Sequence, residues 1–158
     1  MNKPTLFKTG IVYVVFGMNV KVVEPVKLYG CHIGDDCFSG RFTEIQKGVV
    51  IGEKTKVQSH SFICELVTIG HHCFIGHGVM FINDSFTEGG PANGDKSKWQ
   101  RTEIGNFVSI GSNVTLLPVN ICDHVVIGAG AVVTKNITES GTYAGNPARL
   151  ISRNPTGK

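Results

Sequence analysis

This chain of 158 residues lacks a clustered basic stripe, a long apolar run and a CxxC pair, and each absence argues against a class of protein. Its Lys and Arg residues form no clustered stripe, although the net charge is +3, so a nucleic-acid-binding surface is not indicated. The apolar run from Ile11 to Phe16 is six residues long, which is too short for a signal sequence or a membrane span and predicts a first strand. The mild positive charge fits an anionic small molecule better than a nucleic acid or a membrane.

The five cysteines contain no CxxC pair, and they are Cys31, Cys37, Cys64, Cys73 and Cys122. An odd number at these positions argues against a disulfide framework and predicts the reducing environment of the cytoplasm. Because no closed set of metal ligands is visible in their spacing, we expect no metal.

The strongest positive feature is an aliphatic residue at every sixth position, with glycine often following it. A second column of small or branched side chains runs four positions later. A period of six fits neither an amphipathic helix nor a hairpin, and it is typical of an all-β, parallel β-helix. The first column is Ile33, Ile45, Ile51, Val57, Ile63, Ile69, Ile75 and Phe81, with Ser39 once in its place, and the second is Cys37, Thr43, Val49, Thr55, Ser61, Val67, Cys73 and Val79.

The same period resumes at Ile104 and continues to Val133. With three hexads to a coil, the repeats predict about five regular coils within a single domain, 1–158. Residues 1–28 are expected to form irregular N-terminal rungs, 84–103 a protruding loop and 137–158 a C-terminal tail. Loops of that length in a compact domain are usually functional or disordered.

Residues eighteen apart are expected to stack on adjacent coils, about 4.8 Å apart. This spacing stacks Lys47, Glu65 and Asn83 in one outward column. We expect His60 and His77 to join Glu65 and Asn83 in a polar patch at the corner where the loop leaves the solenoid. Such a patch can hold a ligand under the loop.

Repeat proteins of this length also expose apolar faces and open ends. Self-association around a threefold axis is the expected remedy, with clefts between the subunits of a homotrimer.

Four segments together resemble the left-handed β-helix N-acyltransferases, and the resemblance covers nearly the whole chain. It is closest to enzymes that acetylate the amino group of 3-amino sugars linked to UDP or dTDP, for cell-surface polysaccharides such as the lipopolysaccharide O-antigen. The resemblance implies acetyl-CoA as the donor, a homotrimer, and a site in the cleft between subunits. The segments are QSHSFICELVTIG at 58–70, GHGVMFIND at 76–84, NVTLLPVNICDHVVIGAGAVVT at 113–134 and AGNPAR at 144–149.

On the acceptor side, the resemblance implies that Asn83 contacts the sugar amine. Asp84 is expected to hold the turn beside it, and Glu65, His60 and His77 to line the sugar. The reaction that the resemblance implies is attack of the neutral amine on the thioester. The proton goes either to a histidine, of which His77 is the first candidate and His60 the second, or to the departing thiolate.

On the donor side, the resemblance implies that groups at Ser109, Gly111 and Ala129 take the pantetheine arm of CoA. Lys135 and Arg149 are cationic and are expected to meet its phosphates.

Three alternatives stay open at this point. The solenoid also resembles that of γ-class carbonic anhydrases, with His72, His77 and His60 as the available zinc ligands. A non-enzymatic scaffold is the second alternative. An acetyltransferase for serine, a simple sugar or an antibiotic is the third.

Overall fold

The computed structural model describes residues 4–5 and 10–153. Within that part, regular structure consists of short strands and one 3-10 helix at Lys96–Lys98, and no helix there is long and apolar enough to cross a membrane. The strands are β1 (Ile11–Val12), β2 (Val15–Phe16), β3 (Lys21–Val22), β4 (Lys27–Tyr29), β5 (His32–Ile33), β6 (Phe38–Ser39), β7 (Glu44–Ile45), β8 (Val50–Ile51), β9 (Lys56–Val57), β10 (Phe62–Ile63), β11 (Val67–Ile69), β12 (Phe74–Ile75), β13 (Met80–Phe81), β14 (Thr102–Ile104), β15 (Ser109–Ile110), β16 (Thr115–Leu116), β17 (Asn120–Ile121), β18 (Val125–Ile127), β19 (Val132–Val133), β20 (Gly141–Ala144) and β21 (Arg149–Arg153).

Every third strand pairs in parallel with the next, which makes three sheets around one core. Sheet one runs β1-β4-β7-β10-β13-β16-β19, and sheet two runs β2-β5-β8-β11-β14-β17. Sheet three runs β3-β6-β9-β12-β15-β18-β20, and β21 adds to β20 in antiparallel orientation. The predicted all-β parallel solenoid of hexapeptide repeats is therefore confirmed.

The solenoid has more coils than the predicted five, since sheet one alone contains seven strands. Residues 11–28 form rungs of the same three sheets, with Ile11 pairing to Leu28 and Lys27 to Glu44. These pairs are seventeen residues apart, so the first coils fall out of the six-residue phase that begins at Ile33. The run from Ile11 to Phe16 is likewise two strands rather than one, because Tyr13 has a φ of 53° and turns the chain between them.

The two repeating columns form the core, because removal of aliphatic side chains from water is the main favourable term in folding. Ile45, Ile63 and Ile75 are fully buried in successive parts of the stack. The second column is also buried, including Cys37 and Cys73, which are free thiols that pack as small apolar groups.

Each coil turns at three corners, which we name by the sheet that precedes them: the first corner follows sheet one, the second sheet two and the third sheet three. A turn this tight requires a residue with positive φ. Leu66 (φ 70°) fills that position at the first corner, His72 (φ 55°) at the second and His60 (φ 65°) at the third. Side chains at these positions point away from the core, so corners are where the solenoid can carry chemistry.

Close stacking of coils explains the glycines that follow the aliphatic residues. A Cβ added to Gly52 would lie 2.6 Å from the carbonyl carbon of Gly70 on the next coil. No side chain fits that gap without a shift of the backbone.

The small polar side chains inside the solenoid are hydrogen-bonded, with one exception. The Thr55 hydroxyl donates to the carbonyl of Gly70 at 2.9 Å, and the Ser61 hydroxyl donates to that of Gly76 at 2.9 Å. Ser39 occupies an aliphatic position, and its buried Oγ has no partner within the described residues. Its in-register neighbours on the adjacent coils are Val22 and Val57.

We therefore expect Ser39→Val to raise the free energy of unfolding by about 1–2 kcal/mol, because it removes an unpaired hydroxyl and adds apolar contact. Urea unfolding followed by circular dichroism measures the change. The control is Ser61→Val, which deprives the Gly76 carbonyl of its donor and should cost about 1–3 kcal/mol. A Ser39→Val protein less stable than the parent would contradict this account.

Candidate active site

The stacked column predicted at the first corner is present. The Asn83 side chain donates from Nδ2 to the backbone carbonyl of Glu65, one coil below, at 3.2 Å. The backbone N–H of Glu65 in turn donates to the Gln46 side-chain oxygen at 3.3 Å. Nδ2 of Asn83 is thus held by the solenoid, and its Oδ1 accepts no hydrogen bond from another residue that the structure describes.

The long excursion leaves the solenoid at this corner, but it is shifted from the predicted 84–103. β13 ends at Phe81, and β14 begins at Thr102 and pairs with β11 through Thr102↔Val67 and Glu103↔Thr68. The excursion is therefore 82–101. Thr102 is buried in the column of small inward side chains. Because its side chain is polar, the sequence does not show that a strand begins there.

The carboxylate of Asp84 is engaged in hydrogen bonds within the loop. Its Oδ2 accepts the backbone N–H of Ala92 at 2.7 Å, and its Oδ1 accepts that of Phe86 at 3.1 Å. Ala92 is buried, so the carboxylate closes a compact turn around it. The role expected for Asp84 at this turn is thus present, whereas contact with a substrate stays a prediction.

A second set of contacts fastens the loop to the corner. The Lys96 ammonium lies 2.7 Å from the Glu65 carboxylate and 5.1 Å from the centre of the Trp99 ring. The backbone N–H of Gln100 donates to the Asn83 carbonyl at 2.8 Å. Glu65 therefore has its counter-ion within the chain, and Asn83 is fixed through both its side chain and its backbone.

Lys96 is the residue of this corner that the sequence does not reveal. It lies outside the hexapeptide repeat, where residue spacing gives no information about which coil it contacts. Its charge opposite to that of Glu65 is the only available signal, and several other lysines share it.

The predicted patch of two histidines with Glu65 and Asn83 does not form within one chain. His60 and His77 lie at the third corner, where the His60 N–H donates to the Arg41 carbonyl at 2.9 Å and the Asn113 N–H donates to the His77 carbonyl at 2.8 Å. Glu65 and Asn83 lie at the first corner, across the width of sheet one. Counting in eighteens correctly predicts which residues stack in one column. It does not separate the third corner, which carries the histidines, from the first corner, which carries Glu65 and Asn83.

The histidines considered for zinc are also divided between corners. His72 is at the second corner, stacked at 4.9 Å on the ring of Phe107, whereas His77 and His60 are at the third. In residues 4–5 and 10–153, no three side chains of the His, Cys, Asp or Glu type converge on a point where they could hold an ion. Within the described part of one chain, the three histidines therefore do not form a ligand set.

The residues expected on the donor side fall into two groups. Ser109 projects outward from sheet three, Gly111 begins the third corner, and Ala129 lies at that corner one coil further on, because the Gly111 N–H bonds to the carbonyl of Ile127 at 2.8 Å. His77 is at the same corner, one coil before Gly111. A predicted base and the predicted pantetheine contacts thus share one edge of the solenoid.

Lys135 and Arg149 come together at the C-terminal end. Both line a groove of about 300 Å³ that also contains Thr134 and Tyr143. Neither cation forms an ion pair with another described residue. Lys135 follows β19 at the first corner, and Arg149 pairs with Ala144 at the end of β20 on sheet three, so this cationic groove crosses the C-terminal end of the solenoid.

The cysteine at the first corner, Cys64, is buried. Burial raises the pKa of the Cys64 thiol to about 12, and burial likewise raises the pKa of the Cys31 thiol to about 11. Both thiols are protonated at neutral pH. A covalent acyl-cysteine intermediate at these positions is therefore disfavoured.

Comparison with known proteins gives a family motif and a set of partial relatives. Residues 101–135 match the family model described as the hexapeptide repeat of succinyl-transferase. The bifunctional protein GlmU of Clavibacter sepedonicus is 37% identical over 109 residues, which are 68% of this chain and 20% of GlmU. The GlmU of Synechococcus sp. (strain RCC307) is 31% identical over 79% of this chain and 25% of its own length. This chain thus spans about a fifth to a quarter of these relatives.

Three solved structures extend the comparison over most of the chain. The polySia-specific acetyltransferase NeuO matches with a TM-score of 0.62 and 27% identity, over 91% of this chain and 82% of NeuO. A hexapeptide-repeat acetyltransferase of Vibrio cholerae O1 biovar eltor, solved with acetyl coenzyme A, matches with 0.66 and 22%, over 80% and 72%. The N-acyltransferase AntD of Bacillus cereus, solved as a point mutant with dTDP-4-amino-4,6-dideoxyglucose and coenzyme A, matches with 0.58 and 21%, over 90% and 85%.

The family model identifies a hexapeptide-repeat segment at 101–135, and the solved neighbours share the fold over most of this chain. The closer resemblance to 3-amino sugar enzymes stays a prediction, since the solved neighbours include both a polySia-specific acetyltransferase and an enzyme solved with a 4-amino sugar.

We expect Asp84→Ala to loosen the loop without unfolding the solenoid, because two backbone N–H groups lose their acceptor. Hydrogen exchange should quicken about tenfold across 84–101 and stay unchanged in β10–β12. Glu88→Ala is the control, since that exposed carboxylate contacts only Lys98 within the described residues. Equal exchange in the two variants would mean that Asp84 does not organise the loop.

Proposed function

We propose that this protein transfers the acetyl group of acetyl-CoA to the amino group of a 3-amino sugar linked to dTDP or UDP. The product would serve cell-surface polysaccharide synthesis, for example of the lipopolysaccharide O-antigen. The observation that carries the proposal is the Asn83 amide, held at the mouth of an ordered loop with Oδ1 left to accept a hydrogen bond. An amine is a donor of the kind that this oxygen needs.

Acetyl-CoA as the donor is supported by the fold neighbours solved with acetyl coenzyme A and with coenzyme A. We propose that the pantetheine arm follows Ser109, Gly111 and Ala129 along the third corner. The groove with Lys135 and Arg149 at the C-terminal end would then receive the phosphates. Two cations in one groove suit a diphosphate.

The proposed reaction is direct transfer. The lone pair of the neutral amine attacks the thioester carbonyl carbon, a tetrahedral oxyanion forms, and the C–S bond breaks to release CoA thiolate. The nitrogen loses one proton, either to a histidine such as His77 or to the departing thiolate. Because amine and thioester already react with each other, placement by Asn83 supplies much of the acceleration.

We propose a homotrimer that works in the cytoplasm, with its sites between subunits. Outward apolar side chains such as Val50, Phe74 and Met80 are exposed on the faces of a single chain, which self-association would cover. A partner subunit would also bring a third corner, with its His77, next to a first corner with its Asn83. The free thiols agree with a reducing compartment.

The test of the proposal is release of CoA thiol from acetyl-CoA with a panel of acceptors. We expect dTDP- or UDP-linked 3-amino sugars to react, and 4-amino sugars, serine, maltose and an aminoglycoside to react at least about 100-fold more slowly. Mass spectrometry of the product locates the acetyl group on nitrogen. A protein that binds CoA but reacts only with serine or an unlinked sugar would rule out the proposed acceptor.

We expect Asn83→Ala to lower kcat about 100-fold, because the amine loses its positioning contact. The Kd for CoA should change less than about twofold, since the residues proposed for the pantetheine arm lie on sheet three or at the third corner, and Lys135 lies two coils beyond Asn83. Asn120→Ala, on the outward face of sheet two, is the matched control and should leave both constants unchanged. An equal loss of turnover and of CoA affinity would remove Asn83 from the acceptor site.

A further inference from the structure

A groove of about 790 Å³ lies on the outward face of sheet three, in the N-terminal coils. None of the residues discussed so far as site residues lines it. Its volume falls in the range of sites that enclose a small ligand. The lining includes Asn19, Lys21, Asp36, Phe38, Lys56 and Gln58.

Charged and aromatic side chains alternate along the floor of the groove. Lys21, Phe38 and Lys56 are register partners in β3, β6 and β9 and project from the same face. Adjacent strands are about 4.8 Å apart, so the two lysine stems stand on either side of the ring. Within the described residues neither ammonium forms an ion pair, in contrast to Lys27, which pairs with Glu44 on sheet one.

The rim carries groups that suit hydroxyls. Asn19 donates from its side chain to Asp36 Oδ1 at 3.1 Å, which orients the carboxylate at one edge of the groove and leaves Oδ2 without a side-chain donor among the described residues. The Gln58 side chain stands at the opposite edge. The groove thus combines two cations, a half-buried ring, a carboxylate and an amide.

We infer that this groove binds the pyrimidine nucleoside diphosphate of the acceptor. Phe38 stacks on the base, Lys21 and Lys56 bind the diphosphate, and Asp36 accepts a hydrogen bond from a ribose hydroxyl. The inference rests on the proposed function, because it names the part of the substrate that lies beyond the sugar. CoA contains the same chemistry in its adenosine diphosphate, but its proposed cations, Lys135 and Arg149, lie at the opposite end of the solenoid.

The position of the groove makes the complete site a property of two subunits. Sheet three is the side of each coil opposite the first corner, so the groove of one chain cannot serve its own Asn83. Phe38 lies two coils before Phe74, the sheet-three residue of the coil that leads to Asn83, which is about 10 Å along the solenoid axis. If the copies of the proposed trimer stand side by side at the same height, this offset is close to the length of a nucleoside diphosphate, and the sugar would meet Asn83 of a neighbouring copy.

The experiment is calorimetric titration of the whole protein with UDP, dTDP, inorganic pyrophosphate and CoA. Lys21→Ala and Lys56→Ala should each weaken UDP or dTDP binding about tenfold, and pyrophosphate binding similarly, because both ligands lose a charge-assisted contact. Phe38→Leu should weaken only the nucleotides, by about tenfold, since pyrophosphate has no base to stack. Lys27→Ala is the control and should change none of them.

The outcomes separate this inference from the proposed function. Nucleotide binding that survives all three groove variants, in an enzyme that acetylates the sugar, overturns the groove and keeps the function. Loss of CoA binding in these variants, with UDP and dTDP binding unchanged, means that the groove belongs to the donor. Groove-dependent binding of UDP or dTDP without acetylation of any sugar keeps the groove and overturns the function. Circular dichroism confirms that each variant is folded.

Discussion

The structure depends on the in-register stacking of one coil on the next. Each inward aliphatic side chain lies above its counterpart, and the backbone of each strand bonds to the strands before and after it. This register leaves little freedom at the glycines, since Gly52 has no room for even a methyl group. Because the core is continuous along the axis, the outward side chains at the corners are not needed for packing. These positions can carry exposed or hydrogen-bonding groups.

The first corner illustrates how that freedom is used. Its column ends at Asn83, where the chain leaves the stack, and the loop returns to bond with both Asn83 and Glu65. Lys96 neutralises the Glu65 carboxylate, and the Asp84 carboxylate beside Asn83 is engaged by two backbone N–H groups. A strongly anionic corner would hold a sugar amine as its ammonium ion, which cannot attack a thioester. The ion pair therefore agrees with a reaction that needs the neutral amine.

The sequence predicts the solenoid because its signal is periodic and local. Ile33 to Phe81 repeat at the spacing of the core, and the vertical relation of Glu65 to Asn83 follows by counting. The same counting fails where coils are seventeen residues long, as in 11–28, and where a buried Thr102 begins a strand. Counting also predicts the coil on which a residue lies more reliably than the corner at which it lies. For this reason His77 and Asn83 are predicted together but lie at different corners.

Contacts made by the loop are beyond such counting. The spacing of Lys96 does not indicate that it contacts Glu65. The spacing of Asp84 does not indicate that it accepts hydrogen bonds from two backbone N–H groups of the loop. These contacts depend on the path of an irregular chain segment. The lysines of the sheet-three groove are hidden for another reason, because they occupy the outward positions that the hexapeptide pattern leaves unspecified.

The repeating coil also sets how such a protein can change over evolutionary time. Because Phe38 and Lys56 are separated by one coil, duplication or loss of a whole coil would shift the groove relative to the Asn83 corner by one strand spacing, about 4.8 Å, while leaving both local structures intact. Insertions at a corner are tolerated, since the strand after 82–101 still pairs in register with β11, but a gain or loss of one residue within a strand would move its inward side chains to the outer face. The solenoid can thus lengthen or shorten the gap between the Asn83 corner and the sheet-three groove in fixed steps, without altering the local structure of either one.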